Sequence, residues 1–223
     1  MSAILFGSIS TLADTSELQR RAFNEAFQAH GLDWNWSRDE YASMLGSNGG
    51  QDRIAEYARA KGVDVDAADV HATKSSIFQE LLGSVGVSPR AGVLETVKEA
   101  KQQGVSLGFV TTTSPENVAA LLSALSPDLS ADTFDIVVDK TSVSDVKPDP
   151  AVYLYALEQL GEDAGTAVAI EDNQGGVQAA SAAGITCVAF PNENTADGDF
   201  SAATTTVDTL DAETVLALTK EAS

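Results

Sequence analysis

The stretch Val105-Ser106-Leu107-Gly108-Phe109-Val110-Thr111-Thr112-Thr113-Ser114-Pro115-Glu116 decides the fold, because an apolar run passes directly into a helix-start signal. Val105 to Val110 is short and nearly continuous in apolar side chains, as a strand covered on both faces requires. Ser114 supplies an N-cap, Pro115 a first-turn proline and Glu116 a negative charge where the helix dipole favours one; Val118, Leu121, Leu122 and Leu125 then share one helical face. Phe134 to Val138, Thr166 to Ile170 and Ile185 to Phe190 repeat the strand signal. Asp149-Pro150 opens another helix, and Gly161 and Gly184 stand where helices end in a left-handed residue. The expected fold is α/β, a doubly wound parallel sheet with a Rossmann-like core.

Upstream the periodicity changes. Leu18, Ala22, Phe23, Ala26 and Phe27, then Ile54, Tyr57 and Ala58, then Ile77, Phe78, Leu81 and Leu82 recur at helical spacing with no strand between them. Ser37 and Glu40 have capping-box spacing ahead of Tyr41, Met44 and Leu45. A strand over Ala3 to Phe6 precedes this region, so the expected organisation is a core of residues 1–14 and 87–223 with a helical cap, 15–86, inserted after the first strand. A cap over the carboxyl edge of a parallel sheet encloses a small-molecule site. Trp34 and Trp36 are expected to pack inside the cap, His30 and His71 to lie on its surface, and Asn192 to Asp199 to form a surface loop.

The 223 residues carry 13 Lys and Arg against 33 Asp and Glu, a formal net charge of −20. That charge repels nucleic-acid phosphates and anionic membranes, so neither is an expected partner. No apolar run is long enough for a membrane span, and Ala3 to Phe6 is too short for a signal-peptide core, which makes the cytoplasm the expected location. The single Cys187 allows no disulfide framework and reads as a buried strand cysteine.

Four stretches, in order, resemble the signature motifs of haloacid dehalogenase (HAD)-like phosphatases. They are Phe6-Gly7-Ser8-Ile9-Ser10-Thr11-Leu12, Thr111-Thr112-Thr113, Lys147-Pro148-Asp149-Pro150 and Ile170-Glu171-Asp172-Asn173-Gln174-Gly175-Gly176. The segments Arg21 to Phe27, Gly31-Leu32-Asp33-Trp34 and Gly49 to Ile54 are similar to the cap of the β-phosphoglucomutase-like branch, particularly the CbbY-like sugar-bisphosphate phosphatases. The resemblance implies a HAD-like core with a cap, and roles for individual positions. The first motif is usually Phe-Asp-x-Asp-Gly-Thr-Leu, its first aspartate attacking phosphorus and its second moving the proton. With the register held by Phe6 and Thr11-Leu12, Gly7 stands at the nucleophile position and Ile9 at the acid/base position. Glycine forms no aspartyl-phosphate and isoleucine transfers no proton.

The same resemblance assigns phosphate binding to Thr111, Thr112 and Lys147, and magnesium to Glu171 and Asp172. Because a further ligand in relatives is the carboxylate replaced by Gly7, weak or absent magnesium binding is expected, with pairing of Lys147 to Glu171 or Asp172 as the alternative. In the cap, Arg53 reads either as a fork for a second phosphate or as a helix-surface arginine, and Gln19 stands where relatives commonly have histidine. Ser8 is expected to point away from the side a residue-7 side chain would take, with no His or Lys nearby to activate it. Asp14 is expected to make local hydrogen bonds.

The expected function is therefore that of a catalytically inactive pseudo-phosphatase that binds a phosphorylated sugar. A rewired hydrolase using serine or a metal-bound water, and a protein-interaction module of unknown partner, are the alternatives.

Overall fold

The computed structural model describes residues 2–46 and 49–220. The chain runs β1 (Ala3–Phe6), α1 (Ile9–Leu12), α2 (Ser16–Ala29), α3 (Arg38–Ser43), α4 (Gly50–Lys61), α5 (Ala67–Val85), α6 (Val93–Gln103), β2 (Ser106–Val110) and α7 (Pro115–Leu125). It continues through β3 (Ile136–Val138), α8 (Ala151–Leu160), β4 (Ala167–Glu171), α9 (Gln174–Ala182), β5 (Thr186–Ala189), β6 (Thr205–Thr206) and α10 (Ala212–Leu218).

All pairings are parallel, in the order β3-β2-β1-β4-β5-β6. This is the α/β, Rossmann-like sheet that the alternating strand and helix signals require. Strand side chains alternate between two cores. Ile4, Phe6, Phe109 and Ile170 join Val97, Leu121 and Leu216 on one face; Leu5, Val110, Ala169 and Cys187 meet Val152, Tyr153, Val177 and Ala180 on the other. Burial pushes the Cys187 thiol well up, which suits a packing role.

Local chemistry sets the helix ends. Ser114 Oγ accepts from Asn117 N, the capping box of Ser37 and Glu40 is complete, and Gly161 and Gly184 take φ of +67° and +74°. Helix α3 is shorter than its apolar pattern suggests: Met44 is already its C-cap. The Phe134 to Val138 run pairs only from Ile136, since Phe134 packs edge-on against Phe6 and the Asp135 carboxylate accepts from Leu107 N at 2.8 Å. Ile9 falls in the short helix α1, buried in the first core.

Between Phe6 and Ser106 the described chain is helical. Phe23, Phe27, Trp34, Trp36, Tyr41 and Ile54 form an aromatic-rich third core, whereas Phe78, Leu81 and Leu82 at the far end of α5 pack into the first. No helix of the described residues is long and apolar enough to cross a membrane.

Candidate functional site

The strand order reverses between β1 and β4, and the motifs meet at the carboxyl ends of β1, β2 and β4, where a crevice opens in such sheets. Phe6 pairs with both Phe109 and Ile170, so Gly7, Thr111 and Glu171-Asp172 emerge side by side. The segment before α8 carries Lys147 to the same place. A cleft of about 840 Å³ lies above, bounded by Ser8, Thr111, Thr112 and Asp172 below and by Gln19, Arg53, His71 and Lys74 on the helical side. An adjoining cavity of about 350 Å³ reaches Gly7 and Lys147.

Its floor is an ion-pair network. Lys147 Nζ donates to Glu171 Oε1 at 2.7 Å, to Val110 O at 2.9 Å and to Gly7 O; Tyr153 OH donates to the same Glu171 oxygen at 2.6 Å. Glu171 is fully buried, and its Oε2 has no hydrogen-bond partner. Burial pushes the Glu171 carboxyl up, and the Lys147 ammonium is the chief influence opposing that rise. Glu171 fits here because of two glycines. A Cβ on Gly7 would lie 2.2 Å from Glu171 Oε1 and 2.3 Å from Tyr153 OH, and one on Gly176 would lie 2.1 Å from Glu171 Oε2. The Glu171 carboxylate thus fills the space that a side chain at position 7 would need.

Asp172 is held differently. Its Oδ1 accepts from Ser8 Oγ and Asn173 Nδ2, both at 2.7 Å, and its Oδ2 from Asn192 Nδ2 at 2.6 Å. Thr195 Oγ1 donates to the Asp172 backbone carbonyl. Two expectations are corrected here. Ser8 lines the cleft with a carboxylate beside it, because the strand ends at Phe6 and face alternation stops there. The segment from Asn192 is no surface loop throughout: Asn192, Asn194 and Thr195 are buried, their polar groups satisfied by Asp172, Glu17 and one another.

Magnesium requires near-octahedral oxygen ligands. Here one Glu171 oxygen is taken by an ammonium and a phenol, both Asp172 oxygens accept hydrogen bonds, and position 7 offers only a carbonyl already bound to Lys147. No group of three or more His, Cys, Asp or Glu side chains among the described residues is arranged to hold a metal. These residues do not fit the ion, and Lys147 stands as the resident cation.

On the helical side, Arg53 is buried, its Nε donating to Met44 O at 3.1 Å and its guanidinium near the Phe23 and Tyr41 rings, which overturns the helix-surface alternative. His71 is likewise no surface residue. It is half-buried and lines the cleft, and burial, then Lys74, pull its pKa down to about 4. Gln19 Oε1 accepts from Lys74 Nζ, which lies 4.8 Å from the Phe23 ring centroid and 5.0 Å from that of Phe78. Thr111 is buried, its Oγ1 accepting from Thr113 N, and Thr112 lines both cavities. Asp14 makes the local bonds expected, accepting from Ser16 N and Oγ, and adds a long-range one by accepting from Glu193 N.

Lys74, Tyr153, Asn192 and Arg90 escaped the sequence; Arg90 donates to the carbonyls of Ser10, Phe190 and Pro191 and so clamps the turn after β1 to the loop after β5. Of these only Lys74 had a signal, four residues before Phe78 on a helix face that also carries Leu81 and Leu82. Burial, then the charge of Arg53, pull its pKa from 10.5 down to about 7. The unfolded chain therefore binds more protons between those values, and stability rises with pH across that window. Lys74→Met should stabilise the protein by roughly 1–3 kcal/mol at pH 7, the gain fading towards pH 10, as thermal unfolding at several pH values would show.

Sheet order, crevice and motif placement define a HAD-like protein. The chain matches the family model "haloacid dehalogenase-like hydrolase" over residues 6–190 and belongs to that family. Within it the chain falls in the CbbY-like sugar-phosphate phosphatase branch. It is 39% identical to Protein CbbY of Rhodobacter capsulatus over 206 residues, 91% of each chain. It is also similar to crystal structures of CbbY from Rhodobacter sphaeroides, at 38% identity and 94% coverage of each chain. One holds phosphate, with a TM-score of 0.86, and a mutant form holds xylulose-(1,5)bisphosphate, with a TM-score of 0.87.

Proposed function

We propose that this protein is a phosphatase-derived binding protein: it takes a phosphorylated sugar into the cleft and does not hydrolyse it. The observation that carries this is the Glu171 carboxylate, paired with Lys147 and lodged where a nucleophile at position 7 would have to be. No side chain on β1 can accept a phosphoryl group there, and the lysine that would neutralise the transferred group is already neutralised.

The cleft keeps an affinity for anions. Apart from the paired Lys147, Arg53, Lys74 and Lys140 line it against Asp52, Glu116 and Asp172, a local balance in a chain where acids outnumber bases 33 to 13. A cleft spared the overall negative charge, with low-dielectric walls and cations on its helical side, admits phosphate esters that the rest of the surface repels. The ketose bisphosphate held by the R. sphaeroides relative has two anionic ends, suited to Thr111 and Thr112 on the sheet side and Arg53 on the other. On this proposal residues 15–86 act as the cap and Arg53 with Gln19 sets specificity. Titration calorimetry should show sugar bisphosphates binding equally with magnesium or with chelator, and about tenfold more weakly to Arg53→Lys, which loses the planar fork. Absence of heat across a panel of phosphorylated metabolites would sink the proposal.

A second reading has one observation in its favour: Ser8 Oγ donates to Asp172 Oδ1 at 2.7 Å, a hydroxyl beside a carboxylate. Phosphate-ester turnover by the purified protein, lost in both Ser8→Ala and Asp172→Ala, would establish it. The two further donors, from Asn173 and Asn192, already occupy both Asp172 oxygens and favour binding without hydrolysis.

A further inference from the structure

The helical wall of the cleft contains an amine buried against aromatic rings and set beside a second cation. Lys74 is 5% exposed yet lines the cleft. Its hydrogen-bond acceptor is the neutral amide oxygen of Gln19, its ammonium faces the rings of Phe23 and Phe78, and the charge acting on it is that of another cation, Arg53 from α4. A lysine needed only to attract phosphate would be better served by solvent or a carboxylate partner, which keep it charged. A desolvated lysine beside a second cation is instead the arrangement that makes an amine nucleophilic at neutral pH. The depressed pKa of this side chain agrees with that.

We infer that Lys74 captures the free carbonyl of a phosphorylated sugar, holding the ligand in the cleft as an imine on Nζ. The inference rests on the proposal that the cleft takes such sugars, and it narrows the class to those with an open-chain ketone or aldehyde. A 2-ketopentose phosphorylated at both ends is of this kind, because the hydroxyl that would close its ring is esterified. The nitrogen lone pair adds to the carbonyl carbon, and the carbonyl oxygen takes up a proton to give a carbinolamine. That oxygen then leaves as water together with both amine hydrogens, and a C=N bond remains. One water is released and nothing is oxidised or reduced. Arg53, on the neighbouring helix, is placed to hold a phosphate of the same ligand while the carbon meets the amine.

The test is reductive trapping. The full-length protein is incubated with xylulose 1,5-bisphosphate, treated with borohydride, and read by intact mass and peptide mapping, in parallel with calorimetry on the same ketose and on its reduced polyol bisphosphate, which has no carbonyl. The expected result is one reduced-sugar adduct on Lys74, none in Lys74→Arg, and tighter binding of the ketose than of the polyol. Equal binding of both with no adduct, or an adduct on Lys140 or another surface lysine, would overturn the inference and leave the binding proposal standing. Binding of neither would overturn both. The mapping is made on the unsubstituted protein, so the result does not depend on how well Lys74→Arg folds.

Discussion

Lys147→Met should destabilise the protein by about 3–5 kcal/mol near neutral pH, lowering Tm by roughly 10 °C for a chain of this size. The lysine holds three acceptors at once, Glu171 Oε1, Val110 O and Gly7 O, at the junction of the three central strands. Without it a fully buried carboxylate is left with one donor, Tyr153. The carboxyl of Glu171 is already pushed up by burial, and losing the ammonium pushes it further. A raised folded pKa means the folded state binds the proton that the unfolded state has released, so stability falls as pH rises from the unfolded value of 4.5 through the folded one. The penalty should therefore be small near pH 5 and grow towards pH 8. Adding Glu171→Gln removes the buried charge and should recover most of the loss at pH 8. Chemical denaturation of the single and double variants at both pH values measures this; a pH-independent penalty, or no recovery, would mean that Lys147 acts only through the two carbonyls.

Restoring both family aspartates should restore no phosphatase activity. In Gly7→Asp/Ile9→Asp the new Cβ at position 7 arrives 2.2 Å from Glu171 Oε1, and a second carboxylate enters a space already holding one. The Cβ alone, in Gly7→Ala, should cost about 1–3 kcal/mol as overpacking, and the aspartate more. At position 9 the change buries a charge in the apolar cluster containing Phe6 and Leu12. The expected outcome is a protein of markedly lower Tm with no turnover of phosphate monoesters in magnesium. Measurable turnover would show that the network merely lacks two side chains and opens readily to accept them.

Much of this was legible in the sequence. Strands and their helices are written in local signals, an apolar run closed by Ser114-Pro115 or Asp149-Pro150, and β6 was missed because two residues of Thr carry no pattern. The motif positions could be ordered along the chain, and Lys147 could be named as a partner for Glu171 or Asp172, with the choice between them left to the fold. What could not be read was anything set by side chains that meet only in three dimensions. Tyr153 looks like any aromatic on the buried face of α8. The segment from Asn192 reads as exposed because it is polar, and it is buried only because Asp172 and Glu17 satisfy it. His71 reads as a surface residue because such side chains usually are, and only the packing of α5 against α2 and α4 turns it, and Lys74 with it, inward.

The pair of glycines around Glu171 also bears on the history of the chain. Gly7 follows β1 and Gly176 lies in α9, and both abut the same carboxylate, Gly7 at Oε1 and Gly176 at both oxygens. An aspartate introduced at position 7 meets an occupied space, and removing Glu171 first takes the acceptor from Tyr153 and leaves Lys147 only the Gly7 and Val110 carbonyls. Either single step toward a carboxylate at position 7 therefore lowers stability, so the arrangement works as a ratchet that holds the chain in its present form, whatever chemistry that form performs.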